Sequence, residues 1–164
     1  MSTKTKSNTT TTTTGDEVNT PATHTRPLRA AIYVRVGHER HVDGSTSAAV
    51  QRQIELCSQA IISEPRLMIA DTYIDEGSNY STKRAAWARL IDDVCHGDID
   101  VVFVSSLDRL ARSIQGLSAA VAQLDEHDVT LVSLSEQIDT ARPLGRAMLA
   151  LLDAFADFEI EAAR

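Results

Sequence analysis

Ala30-Ala31-Ile32-Tyr33-Val34-Arg35-Val36 runs into Gly37-His38-Glu39-Arg40, and this junction decides how the rest of the chain reads. The run is short, β-branched and bounded by polar residues, as a strand covered on both faces would be. Period-two alternation puts Tyr33, Arg35 and position 37 on one face, opposite Ile32, Val34 and Val36. An arginine amid such a run is costly unless it is paired or aimed at a site. In open parallel sheets ligands gather at the carboxyl ends of strands, which is where Arg35 and Gly37 lie.

Three more runs share that character: Leu67 to Ile74, Ile99 to Val104, and Val129 to Leu134. Helical periods separate them. Val50, Ile54, Cys57 and Ile61 repeat at steps of four and three behind a candidate cap at Ser47. Trp87, Leu90, Ile91 and Val94 repeat similarly, as do Ile114, Leu117, Val121 and Leu124 after Ser113. Strand alternating with helix predicts right-handed crossovers and an α/β fold on a parallel sheet.

The two ends of the chain break the rhythm. Residues 1–27 are Thr-rich, with a run from Thr9 to Thr14, and bury too little apolar surface to offset ordering entropy. They are read as a disordered tail before a folded domain over 28–142. From Pro143 a last helix carries Leu144, Met148, Leu151, Phe155 and Phe158 at heptad-like steps, a seam that is either a core face or a subunit contact. No Gly, Asn or Pro ends it before Arg164, so 143–164 reads as the start of a longer helix, cut short.

The 164 residues, 43% hydrophobic and 24% charged, suffice for one domain with a sizeable core. An aromatic share of 4% argues against base-stacking platforms, and a net charge of −7 against adhesion to DNA or anionic membranes by bulk electrostatics. Any nucleic-acid contact must be local. Cys57 and Cys95 lack metal-ligand spacing and no signal-peptide core precedes them, so both are expected to be reduced thiols of a cytoplasmic protein; no apolar run is long enough to span a membrane.

Of the 16 Lys plus Arg residues only Lys4, Lys6 and Lys83 are lysines. Base composition alone could produce that bias, so position decides. Arg35 ends the first run. The second leads into Asp75-Glu76-Gly77-Ser78-Asn79-Tyr80-Ser81-Thr82-Lys83-Arg84, a polar loop able to fold over the same edge. The third leads into Ser105-Ser106-Leu107-Asp108-Arg109-Leu110-Ala111-Arg112. If that stretch is helical, Arg109 and Arg112 lie on one side, with Asp108 available to orient one of them. Guanidinium forks suit phosphate because they donate two parallel hydrogen bonds and keep their charge.

Tyr33-Val34-Arg35-Val36, the loop ending in Ser47 with Gln51-Arg52, Asp75-Glu76-Gly77 followed by Ser78 and Arg84, Leu107-Asp108-Arg109-Leu110-Ala111-Arg112-Ser113, and Glu136 with Ile138-Asp139-Thr140 then Gly145-Arg146 together resemble the catalytic domain of serine recombinases, the resolvase and invertase group. The match runs in order from about Arg29 to Arg164. The long loop between Gly37 and Gln51 is more like the large integrase and transposase branch. The resemblance implies a resolvase-like three-layer fold, a mostly parallel central sheet with flanking helices and a long C-terminal helix. It also implies a chemistry: a serine after the first strand attacks a DNA phosphodiester, keeps a 5′-phosphoserine link and frees a 3′-hydroxyl, after which subunits exchange and strands rejoin. Neither metal nor cofactor enters that scheme. By the same resemblance Arg35, Arg84, Arg109 and Arg112 hold the scissile phosphate, Asp108 and Asp75 orient arginines or relay protons, and Ser78 and Gln51 support the site. The implied partners are DNA and further copies of the chain, as a homodimer or tetramer.

The chain departs from the pattern at its centre. The nucleophile position is Gly37, which has no side chain to attack with, and loss of a nucleophile costs several orders of magnitude in rate. Ser45, Thr46 and Ser47 are displaced along the loop and His38 is a lone loop histidine, so none is expected to replace it. The last helix has Glu159-Ile160 where the family commonly follows its glutamate with arginine, and no basic DNA-recognition domain follows. The expectation is a recombinase catalytic domain that is inactive as it stands. The alternative is a non-catalytic module that pairs with an intact recombinase. An unrelated nucleotide-binding domain is disfavoured because no Gly-rich loop follows the first strand.

Overall fold

The computed structural model describes residues 26–36, 48–76 and 84–162. In chain order the elements are β1 (Leu28–Val36), α1 (Ala48–Ile62), β2 (Leu67–Glu76), α2 (Ala85–Cys95), β3 (Val101–Val104), α3 (Leu107–Leu110), α4 (Ile114–Asp125), β4 (Thr130–Ser133), β5 (Ile138–Asp139) and α5 (Pro143–Ala162). The sheet order is β2-β1-β3-β4-β5. The first four strands pair in parallel, and β5 joins β4 antiparallel.

Alternation along β1 builds both faces of the core. Ala30, Ile32, Val34 and Val36 face α1, where Val50, Cys57 and Ile61 are buried against them with Val101 and Phe103. Ala31 and Tyr33 face the other way, toward Trp87, Leu90 and Val94 of α2 and Leu117, Ala120 and Leu124 of α4. The result is three layers, helix, sheet and helix. Ile32 has no exposed surface, so Ile32→Ala would leave a cavity costing about 2–5 kcal/mol.

The expectation of strands covered on both faces fails at β2. It is an edge strand, and Met68, Ile69 and Ile74 remain exposed along it. The two-residue β5 is too short to show any period in sequence, and it seats α5: a Cβ on Gly145 would lie 2.1 Å from the Asp139 carbonyl oxygen, so only glycine allows this approach. Of the α5 seam, Leu144, Met148 and Leu151 are exposed, while Leu149 and Leu152 pack on the core. The side chains of Phe155 and Phe158 lie outside the described residues.

Topology positions the site. The chain leaves β1 through α1 to one side of the sheet and returns past it through α2 to the other, so the strand order reverses between β1 and β3. A crevice at the carboxyl ends of such a pair is where open α/β sheets bind ligands.

Candidate active site

Arg35 stands next to last in β1, half-buried, and opens into that crevice beside Val36. Across from it β3 ends at Val104, and the chain turns once through α3. Leu107 and Leu110 anchor this turn in the core, leaving Asp108 and Arg109 outward. The turn does not continue. Ala111 is extended at φ −150° and ψ 156°, and Ser113 then caps α4, accepting the Gly116 amide at 3.1 Å. Arg109 and Arg112 are therefore not neighbours on one helix, as their spacing suggested. The buried Leu110 and the new cap divide the stretch into two helices, with Arg112 in the link.

The two arginines nevertheless meet. Arg35, Val36, Asp108, Arg109 and Arg112 line one cavity of about 190 Å3. Arg109 Nε lies 3.4 Å from Asp108 Oδ2, and Asp108 also accepts the Ser106 hydroxyl. Among the described residues lining it there are three guanidiniums and one carboxylate, a set whose donors match an anion with several acceptor oxygens. Two larger cavities, about 260 Å3 between α4 and α5 and about 370 Å3 on the α1 face, have mainly apolar walls and hold no comparable cluster of cations.

Arg84 belongs to an adjoining cluster and does not line this cavity. Its Nε and one terminal nitrogen donate to the Tyr33 hydroxyl at 3.2 and 3.0 Å, and its guanidinium lies 4.8 Å from the Trp87 ring centroid and 5.3 Å from that of Tyr33. Tyr33 in turn donates to Asp75 Oδ2 at 2.9 Å. Burial pushes the Tyr33 phenol up to about 12, with Arg84 working against that shift and Asp75 with it. The hydroxyl is thus a neutral bridge between cation and carboxylate. Asp75 also accepts the Ala86 and Trp87 amides at 2.9 and 3.1 Å, supplying the cap that Arg84, at the N-cap of α2, does not provide. Its two jobs are capping α2 and fixing Arg84 through Tyr33. The role of Tyr33 was missed in sequence; its signal was the shared face with Arg35.

Gln51 is not brought to the cavity. It is exposed on α1 and donates to Glu55 at 3.2 Å, while Gln53 turns inward to accept the Ser105 hydroxyl at 3.4 Å. Gly37, Ser78, His38 and Ser45 to Ser47 lie outside the described residues. Among the described residues no three His, Cys, Asp or Glu side chains converge as metal ligands, and no helix is long and apolar enough to cross a membrane.

Fold and site together define a doubly wound α/β domain whose switch point, among the described residues, is lined by three arginines. The chain belongs to the resolvase N-terminal domain family, whose model matches residues 30–164. It is similar to the N-terminal catalytic domain of TP901-1 integrase, at 31% identity and a TM-score of 0.70 over 83% of this chain and 99% of that one. A probable DNA-invertase of Sinorhizobium fredii is 39% identical over 85 residues, 52% of this chain and 27% of the relative. Serine recombinase gin of Escherichia phage Mu is 36% identical over 87 residues, 53% of this chain and 44% of the relative. The chain thus spans less than half the length of these two curated relatives.

Proposed function

We propose that this chain is the catalytic domain of a site-specific DNA recombinase that holds a backbone phosphate in the arginine cavity but cannot cleave at it, because Gly37 occupies the nucleophile position. The observation that carries the reading is the convergence of Arg35, Arg109 and Arg112 on one cavity at the β1 and β3 ends. In the cleavage step a serine hydroxyl oxygen bonds to phosphorus, the bond to the 3′ oxygen breaks, and that oxygen leaves as a hydroxyl after taking a proton. Negative charge builds on the non-bridging oxygens meanwhile, and fixed guanidinium donors stabilise it. Arg35, Arg109 and Arg112 supply those donors in our reading, Asp108 orients Arg109, and Arg84 is presented by Tyr33 and Asp75. Ser78 and Gln51 are proposed to support the site, as the family resemblance implies.

The exposed stripe of Leu144, Met148 and Leu151 on α5 suits a second copy of the chain, as a homodimer or a tetramer. Cys57 and Cys95 are both free thiols, consistent with work on DNA in the cytoplasm. Arg26, within the stretch expected as a tail, is tied to the folded domain through Asp100, and α5 is proposed as the oligomerisation helix.

The test is Gly37→Ser in a chain fused to a DNA-binding domain, incubated with supercoiled DNA carrying that domain's sites. A covalent protein–DNA adduct with the serine form, and none with the glycine form, is the expected result. Absence of adduct from a folded, DNA-bound serine form would overturn the reading.

A further inference from the structure

We infer that Glu136 is a positioning residue for the arginine cavity, holding α3 from the β4–β5 turn. The inference rests on the reading of that cavity as a phosphate site.

A single helical turn is not stable alone, since its nucleus fixes several dihedral angles for few hydrogen bonds. At the ends of α3, Arg109 N–H reaches Ser106 at 3.1 Å and Ala111 N–H reaches Leu107 at 3.0 Å. Its N-cap Ser106 makes no side-chain cap bond and gives its hydroxyl to Asp108. The first amide of the turn, Leu107 N–H, is accepted instead by Glu136 Oε2 at 3.2 Å. The same oxygen accepts the hydroxyl of Ser133, which is fully buried at the end of β4.

The backbone brings Glu136 there. Leu134 N–H reaches Val104 at 3.2 Å and Ser135 N–H reaches Ser105 at 3.0 Å, so the chain beyond β4 follows the exit of β3. Gln137 then reverses it at φ 55°, a conformation non-glycine residues seldom adopt. Glu136 therefore joins a rigid strand end to the turn bearing Asp108 and Arg109 and leading to Arg112. The charge of the carboxylate matters too, since a charge-assisted bond to an amide is stronger than a neutral one.

The experiment compares the full chain with Glu136→Ala and Glu136→Gln, reading amide hydrogen exchange and titration with inorganic phosphate followed at the arginine Nε–H signals. Glu136→Ala is expected to speed exchange at Leu107 and Arg109 at least tenfold and to weaken phosphate binding several-fold, with β1 and β3 amides unchanged. Glu136→Gln, which keeps a carbonyl acceptor, is expected to restore most of both. Should Glu136→Ala unfold, Ser133→Ala is read in its place, with the same local exchange expected. Unchanged exchange and phosphate affinity in these variants would overturn the inference. If the unsubstituted chain shows no phosphate shift at Arg109 and Arg112, the phosphate reading fails, and the exchange rates alone decide whether Glu136 positions α3.

Discussion

Arg26 and Arg29 meet at the amino end of the sheet, where Arg26 pairs with Asp100 at 2.7 Å and Arg29 reaches Asp100 at 3.2 Å and Asp98 at 3.3 Å. Arg35, Arg109 and Arg112 meet at the carboxyl end, where Asp108 is the one carboxylate among the described residues lining their cavity. At the first end charge is neutralised and the arginines tie β1 to the entry of β3. Burial works to raise the Asp100 carboxyl, yet hydrogen bonds from Arg26 and Arg29 outweigh it and hold the group well below the usual carboxylate range. At the second end three arginines and one carboxylate line a cavity at the switch point, among the described residues. The same side chain is a staple where two aspartates meet it, and is proposed as an anion receptor where it lines the cavity at the switch point.

The sharpest way to break this contrast is to exchange the readouts. In a Gly37→Ser chain with DNA-binding elements, Arg109→Ala is expected to slow single-turnover cleavage about 10²–10³-fold, as losing one fixed donor to a developing oxyanion does. Its thermal midpoint should hardly move. Asp100→Ala is expected to do the reverse, lowering the unfolding free energy in urea by about 2–3 kcal/mol while phosphate binding is kept. Because the Asp100 pKa is depressed on folding, its contribution is fully present above its ordinary value of 3.8 and is lost as pH falls below that, where the unfolded chain binds the proton first. Acid titration of Asp100→Asn should show that part of the loss gone.

Between the two ends lies Tyr33. Tyr33→Phe removes the bridge from Asp75 to Arg84 and is expected to cost about 1–1.5 kcal/mol by chemical denaturation. Burial raises the phenol from 10.0 to about 12, so its contribution is intact below pH 10 and fades above it, as the unfolded chain loses the proton first. The Phe variant should lose less stability between pH 10 and 12. The smallest effect belongs to Asp108→Asn. Its contact with Arg109 is exposed, at 63% and 41% of the two side chains, so stability should change by under about 0.5 kcal/mol and not at all in high salt.

What could be read from sequence was whatever repeats. The four apolar runs became β1 to β4, and the periods after Ser113 and around Trp87 became α4 and α2, because each is long enough to show which face is buried. Arg35, Asp108, Arg109 and Arg112 line one cavity, and in sequence Arg35 ends the first apolar run while the other three lie just past the third. What escaped depends on contacts between distant segments. β5 has two residues and exists only through its pairing with β4. The end of α3 at Leu110 reflects the cap of the next helix. Gln51 was placed by resemblance, yet in the structure its side chain bonds to its neighbour one turn along α1. Glu136 stood within a recognisable stretch, but its reach to Leu107 spans 29 residues and leaves no periodic trace.

The division of labour among the arginines is tested most directly by titrating the full chain with inorganic phosphate while observing every arginine Nε–H signal by NMR. The account predicts saturable shifts at Arg35, Arg109 and Arg112, with Arg26 and Arg29 unmoved. Equal shifts at both ends of the sheet, or none at the carboxyl end, would contradict it.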